Sequence, residues 1–378
     1  MTERLRVVIV GAGAMGREWA SLLSSNRSAR LVGIVDLDHD LAHRVSQDLA
    51  TDAMVGTDLT EVARLSDAQA VINVTVPNAH RAVNEQALRL GLPVLCEKPL
   101  APTLSAALRQ VALADVTGQL LMVSQSRRYF NHLTALRQAV AHLGTLTAVT
   151  TEFFHEDHEP GFREQMAHPL LVDMSIHHFD AFRFVTGDEP ISVQCTTWNP
   201  AWSWFQGDAC ATADFELVSG AHFIYSGSRC TPGLGTSWNG SWRVQSQRGA
   251  AAWDGDVSLT VDSPGLAVDV PDGDEELAGS LAEFVNAIRT GATPQNEVRE
   301  NVLSLAMVEA AIASSDDGGR RVVIADLLDA AYRKALDEEP AEDVLAALHS
   351  WGSAHSGIST GQWGSVDANE ITEERERV

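Results

Sequence analysis

Three short stretches of this chain carry residue types that can do chemistry. The first is Gly11-Ala12-Gly13-Ala14-Met15-Gly16, a G-x-G-x-x-G run. It directly follows the β-branched apolar run Leu5–Val10 and opens a helical pattern over Ala14–Leu23. In that setting each glycine has a task. Gly11 permits a tight turn, Gly13 lets backbone approach a pyrophosphate, and Gly16 lets helix and strand pack closely. Ala14 and Met15 then begin a helix whose N-terminus offers unpaired N–H groups and a partial positive charge to phosphates. A second apolar run, Leu31–Val35, ends in Asp36, 25 positions after Gly11. A carboxylate there accepts from the 2′-hydroxyl of an adenosine ribose and repels a 2′-phosphate. Asp38 adds to that repulsion, so the expected cofactor is NAD, with NADP disfavoured.

The second stretch is Cys96-Glu97-Lys98-Pro99, at the end of another predicted strand. Ligands of doubly wound sheets bind beyond the carboxyl ends of the strands, so Lys98 is expected beside the nicotinamide, and Glu97, which shapes the same loop, is a further candidate cofactor contact. The third is Asp173-Met174-Ser175-Ile176-His177-His178-Phe179-Asp180. On a helix, Asp173 and His177 are i and i+4 and share a face, so the carboxylate can hold and polarise the imidazole. On spacing alone, a buried structural histidine bonded to Asp173 is the commoner arrangement. His178 points to another face and suits a structural role. Asp180 falls one turn on, where it either binds substrate or caps the helix.

Other clusters are weaker. His155-Glu156-Asp157-His158-Glu159, with His168 nearby, has metal-ligand residue types, but strand-end or loop placement argues against a functional metal. His158 is the candidate pocket-lining histidine of this group. Trp198-Asn199-Pro200-Ala201-Trp202-Ser203-Trp204-Phe205 is dense in aromatics, with Trp238 and Trp242 further on. Such rings, Trp204 among them, can stack on the apolar face of a sugar. Core packing or an oligomer interface is the blander and commoner use. Arg127 and Arg128 follow the last parallel strand, and Arg127 is a candidate contact for substrate or cofactor.

Strands alternating with helices up to about residue 124 predict a doubly wound parallel sheet. Beyond it, Asn131–His142 and Leu170–Phe184 read as helices. Runs such as Leu146–Phe154, Thr212–Leu217, His222–Ser226, Trp242–Ser246 and Val257–Val261 read as an open, mostly antiparallel sheet. Helices over Glu276–Arg289 and Val298–Ser314 close this part. The expected organisation is an α/β cofactor domain over 1–124, an α+β substrate and oligomerisation domain over 125–336, and an acidic tail over 337–378. The tail holds ten acidic residues against two arginines and little periodicity beyond Val344–Leu348. It is expected to be partly disordered or packed on a neighbour.

The chain has 378 residues and a net charge of −24. A surface this acidic disfavours nucleic-acid partners. Four cysteines, with no CxxC pair, make neither a disulfide scaffold nor a zinc site. No run approaches the ~18 apolar residues of a membrane span, and the N-terminus reads as no signal peptide. The expected setting is the cytoplasm.

The G-x-G-x-x-G run, Glu97-Lys98-Pro99 and the D-x-x-x-H-x-x-D segment, in that order, resemble the glucose–fructose oxidoreductase / inositol dehydrogenase / MocA family. The resemblance runs from about Arg4 to about Asp329 and takes in Ser126-Arg127-Arg128-Tyr129 and Arg320-Arg321-Val322. It implies an NAD-dependent dehydrogenase acting on a secondary alcohol of a sugar, inositol or related polyol. Lys98, Asp173 and His177 match the family's catalytic set. A histidine suits the removal of a hydroxyl proton as hydride leaves the carbon, and Lys98 can stabilise charge on the same oxygen. The family generally needs no metal, and its members pair through the open sheet, so a homodimer or homotetramer is expected. Two other functions are compatible with the fingerprint: a redox-neutral, NAD-using glycosidase or epimerase, and a non-catalytic NAD-sensing protein. The second has no need of the lysine–aspartate–histidine set.

Overall fold

The computed structural model describes residues 3–156, 158 and 160–359. Asp157 and Glu159 of the histidine-rich loop, and the end of the expected tail, lie outside them. The chain forms two compact units. The first comprises residues up to Val123, Ala282–Val302 and those from Ala331 onward; the second comprises Ser124–Leu281 and Leu303–Ala330.

Strands and helices alternate through the first unit. They are β1 (Leu5–Val10), α1 (Ala14–Ser25), β2 (Ala29–Val35), α2 (His39–Asp48), β3 (Met54–Gly56), α3 (Leu59–Leu65), β4 (Ala70–Asn73), α4 (Pro77–Arg89), β5 (Val94–Glu97), α5 (Leu104–Thr117) and β6 (Leu121–Ser124). The sheet order is β3-β2-β1-β4-β5-β6, with parallel pairing of β1 to β2 and β4, of β2 to β3 and of β4 to β5. The central strands are apolar on both faces because helices cover both; Val7, Val8, Ile9, Val71 and Ile72 are fully buried. Asp38, Asp58 and Thr103 cap α2, α3 and α5 through side-chain oxygens, each satisfying an orphan N–H of a first turn.

The remaining elements are α6 (Asn131–His142), β7 (Leu146–Phe154), α7 (Ile176–Thr186), β8 (Pro190–Trp198), β9 (Cys210–Leu217), β10 (His222–Ser228), β11 (Ser241–Ser246), β12 (Gly249–Trp253), β13 (Leu259–Asp262), α8 (Glu276–Thr290), α9 (Val298–Asp316), β14 (Val322–Val323), α10 (Ile324–Glu338), α11 (Glu342–Trp351) and α12 (Ala354–Ser359). The second sheet runs β13-β12-β11-β7-β10-β9-β8-β14. All of its pairs are antiparallel except β7 with β10. Its inner face buries Val149, Phe215, Phe223, Val244 and Trp242. Phe182 of α7 stacks on Phe223 at 4.2 Å, and Phe179 meets Phe215 edge-on at 5.0 Å.

Three expectations are corrected. The outer face of this sheet, the expected pairing surface, is not an apolar one. The strand registers instead line up Gln194, Asp214, Ile224, Thr150 and Arg243 across it, and a row dominated by polar side chains can stay wetted. The division at residue 336 also differs, because the chain returns to the first unit well before it. Val123 N donates to Asn296 O, Met122 bridges Glu297, and Arg299 forms an ion pair with Asp115. Third, the segment expected as an acidic tail, partly disordered or packed on a neighbour, contains helices as far as Ser359 and packs within its own unit. Val344, Leu348 and Ala354 are fully buried, Arg81 grips Glu339 through both carboxylate oxygens at 2.8 and 2.7 Å, and Arg89 pairs with Asp343 at 2.7 Å. Acids that suggested a solvated tail are thus partners for arginines of α4. Among the described residues no helix is long and apolar enough to cross a membrane.

Candidate active site

The glycine run folds as its spacing requires. Gly11 has φ +106°, and a Cβ on it would lie 2.7 Å from Val74 O. A Cβ on Gly16 would lie 2.0 Å from Gly11 O, so neither position admits a side chain. Gly13 is different: a Cβ there would meet nothing within 4 Å. It is the N-cap of α1 with no side-chain cap, and Ala14 and Met15 after it are exposed. The first N–H groups of the helix have no intrahelical partner, so this is an open cradle for an anion. Asp36 borders it. Its Oδ2 accepts from Ala12 N at 2.7 Å and its Oδ1 from Asp38 N at 2.9 Å. A carboxylate offers about four lone-pair sites, so two remain for ribose hydroxyls. The residues present therefore fit an NAD group. Replacing Gly13 by Ala should leave unliganded stability within ~1 kcal/mol yet raise the Kd for NAD⁺ at least about tenfold by keeping backbone from the phosphates. Thermal denaturation with and without nucleotide checks both halves; an unchanged Kd would remove Gly13 from the cofactor contacts.

The loop after β5 rests on buried polar groups that the sequence did not mark. Glu97 was expected among the cofactor contacts. The structure spends its carboxylate internally: Oε1 accepts from Trp19 Nε1 at 2.9 Å and Oε2 from Lys98 N at 3.2 Å. Burial raises its pKa, against the pull of these donors and of Lys98. Glu97 shapes the loop, and Lys98 follows it, half-buried, at the carboxyl end of the strand. Beneath the loop, Asn73 Nδ2 donates to Asn84 Oδ1, Asn84 Nδ2 to Gln110 Oε1, and Gln110 Nε2 to Leu100 O. A satisfied amide chain of this kind fixes the backbone it ends on.

In the second unit, Asp173 and His177 do not share one regular α-helix. Leu170–Ser175 is a π-helical turn, and α7 starts only at Ile176. Such turns alter the i to i+4 register and concentrate at functional sites. Asp173 Oδ2 accepts from Arg163 Nε and Arg229 Nη1, both at 2.7 Å. His177 is 7% exposed, with Nδ1 3.2 Å from Gln125 Oε1. No sequence signal brought Arg163 or Arg229 to Asp173, since 10 and 56 residues separate them.

The other candidates resolve differently. Asp180, expected as a substrate contact or cap, is 1% exposed and held by Arg128 Nε and Nη2, each at 2.7 Å, and by Ser304 Oγ at 2.7 Å. It is an internal fork beneath α7. Arg127 Nη1 donates to Trp238 O and, at 2.7 Å, to Asn239 Oδ1. Burial pushes its guanidinium down to about 10, still charged at neutral pH. His158 is exposed, bonded to Glu164 Oε1 at 2.9 Å, and stacks on Trp204 with ring centroids 4.5 Å apart. These two alone of the substrate candidates meet. Trp242 packs in the core, while His155 lies against Trp238 at 4.0 Å. Among the described residues, no three His, Cys, Asp or Glu side chains converge as a metal set.

His178 is structural, as its face implied. It lies between Phe153 and Tyr225, with Nε2 3.3 Å from Trp238 O. Burial, helped by the Arg127 charge and opposed by the Trp238 carbonyl, pushes it down to about 3. The folded pKa lies below the unfolded value of about 6.5. This site therefore stabilises the fold fully above that value and less as pH falls toward 3, at up to about 1.4 kcal/mol per pH unit. Replacement of His178 by Gln should flatten the decline of the urea midpoint between pH 7 and pH 4. A slope identical to the parent's would contradict the burial account.

Comparison with known proteins agrees with this geometry. Residues 5–125 match the oxidoreductase family with an NAD-binding Rossmann fold, and residues 133–252 match the GFO/IDH/MocA C-terminal domain, together more than half of the chain. An inositol 2-dehydrogenase of Rhizobium meliloti is 28% identical over 82% of this chain and 96% of its own length. An inositol 2-dehydrogenase of an Arthrobacter species is 33% identical over 51% of this chain and 58% of its own. Among solved structures, an Agrobacterium radiobacter oxidoreductase in complex with NAD⁺, L-tartaric acid and magnesium superposes with a TM-score of 0.78 at 20% identity, covering 86% of this chain and all of that one. A putative myo-inositol dehydrogenase from Sinorhizobium meliloti gives 0.70 at 23%, covering 85% of this chain and all of that one. With two family domains in sequence order and the sheet topologies to match, the chain belongs to the GFO/IDH/MocA family of NAD-binding oxidoreductases.

Proposed function

We propose that this protein oxidises a secondary alcohol of an inositol, sugar or related polyol with NAD⁺, or reduces the corresponding ketone with NADH. The observation that carries the reading is the open cradle at Gly13 bordered by the Asp36 carboxylate, in a family of oxidoreductases. The polyol class follows the names of the relatives from Arthrobacter and Rhizobium meliloti, which are inositol 2-dehydrogenases.

Gly11 to Gly16 and Asp36 would hold the dinucleotide, with the carboxylate selecting against a 2′-phosphate. Bound nicotinamide supplies the two-electron acceptor or donor. The chain's own part is proton handling and charge. His177 takes the hydroxyl proton in the oxidising direction and returns it in the reducing one. Lys98, a cation at a strand end, stabilises negative charge on the substrate oxygen. Asp173 is held by two arginines and so presents a fixed carboxylate. His158 and Trp204 form an aromatic pair fit for a sugar face. The cytoplasm suits four unpaired, buried thiols. A homo-oligomer remains part of the proposal on family grounds, and sedimentation would test it.

The deciding experiment offers NAD⁺ and NADP⁺ to the full chain with a panel of inositols, aldoses and sugar acids, following nicotinamide absorbance. Turnover with NAD⁺ names the substrate class. Cleavage or epimerisation of a substrate with no net nicotinamide reduction would overturn the dehydrogenase reading.

A further inference from the structure

Gln125 follows β6 and belongs to none of the motifs above. Its side chain is 1% exposed, its Oε1 lies 3.2 Å from Nδ1 of His177, and its Nε2 has no hydrogen-bond partner. Both residues lie in the second unit. An amide oxygen can only accept, so a hydrogen bond along this line needs the proton on Nδ1. A neutral imidazole carries one N–H, which leaves Nε2 with its lone pair. We infer that Gln125 is a positioning residue for the reaction: it holds His177 in the Nδ1–H tautomer and so makes Nε2 the atom that takes the substrate's hydroxyl proton.

The inference rests on His177 as the proton acceptor. It assigns orientation to a neutral group. An amide fixes the tautomer and adds no charge, whereas a carboxylate in the same place would also favour the imidazolium. The nearby carboxylate of Asp173 has its Oδ2 on Arg163 and Arg229. Turning the amide round would put Nε2 against Nδ1, force the proton onto the histidine's far nitrogen, and abolish its capacity to accept. The two orientations thus assign opposite tautomers, and the difference can be measured.

The test uses the full chain labelled with ¹⁵N-histidine, with a His177→Gln sample to assign the signal. Long-range ¹H–¹⁵N spectra at neutral pH should show His177 protonated at Nδ1 and bare at Nε2, and Gln125→Met should yield a mixture. In kinetics, Gln125→Met should lower kcat by about 10²-fold, the scale of general-base catalysis, with the KM for NAD⁺ unchanged. Gln125→Glu should keep the tautomer and move the acidic limb of the kcat profile to higher pH, because a carboxylate stabilises the protonated ring. A residue that only fills space would leave that limb in place. An Nε2-protonated His177 in the parent, or an unmoved limb in Gln125→Glu, overturns the inference. Absence of turnover with every polyol would instead remove the functional reading, while the spectra still judge the tautomer.

Discussion

Replacing His177 by Ala should reduce kcat/KM for the polyol by 10²- to 10⁴-fold, the range that a positioned acid or base contributes. The loss should fall on kcat. The dinucleotide contacts are proposed at Gly13 and Asp36, so NADH affinity, read by fluorescence titration, should stay within about twofold. The variant should also recover part of its rate at high pH, where hydroxide replaces the missing acceptor. Lys98→Ala should cost about 10²- to 10³-fold, the scale for one preorganised donor to a developing charge. It should show no such recovery, since it removes a cation and leaves the base. Full-rate turnover by His177→Ala would sink its assignment and return the residue to the structural role that spacing alone suggests.

Removing Asp180 should do its damage to the fold. Arg128 and Asp180 have side chains 3% and 2% exposed, and the guanidinium meets the carboxylate at both oxygens. Deleting one partner strands a buried charge, which costs about 3–5 kcal/mol. Ser304 Oγ and the Arg183 contact to Ser304 Oγ at 3.0 Å would be disturbed with it. Urea denaturation of Asp180→Ala should show that loss. The paired change Arg128→Met with Asp180→Leu should restore most of it, because two apolar groups of similar volume leave no charge uncompensated. A loss below about 1 kcal/mol in the single variant would mean that the pair is hydrated, and would bring Asp180 back as a substrate contact.

Much of the fold was legible from local pattern. The apolar runs β1, β2, β4 and β5 and their helices stand out because a strand covered on both faces must be apolar throughout. The second sheet shows as alternation, because one face of it is wetted. Short or weakly patterned elements escaped: β3 has three residues, α3 seven, and α11 has two fully buried residues, Val344 and Leu348, among acids. Such a helix is stable only through what it packs on, here α5 and Arg89 of α4.

For the site, the proposed cofactor half was legible in local sequence. The glycine spacing and Asp36 work through backbone sterics within one strand–turn–helix, and those are local. The residues proposed to handle the proton and its charge, Lys98, Asp173 and His177, are also marked there by type and order. Their partners were not legible, because the fold supplies them. It gave Asp173 two arginines, His177 an amide, Asp180 a buried guanidinium, and Glu97 the indole of Trp19. Each partner lies 10 or more residues from the group it serves, and burial makes each pairing obligatory. A motif fixes which groups are present. The low-dielectric packing around them, built from distant parts of the chain, selects which partner each of those groups meets.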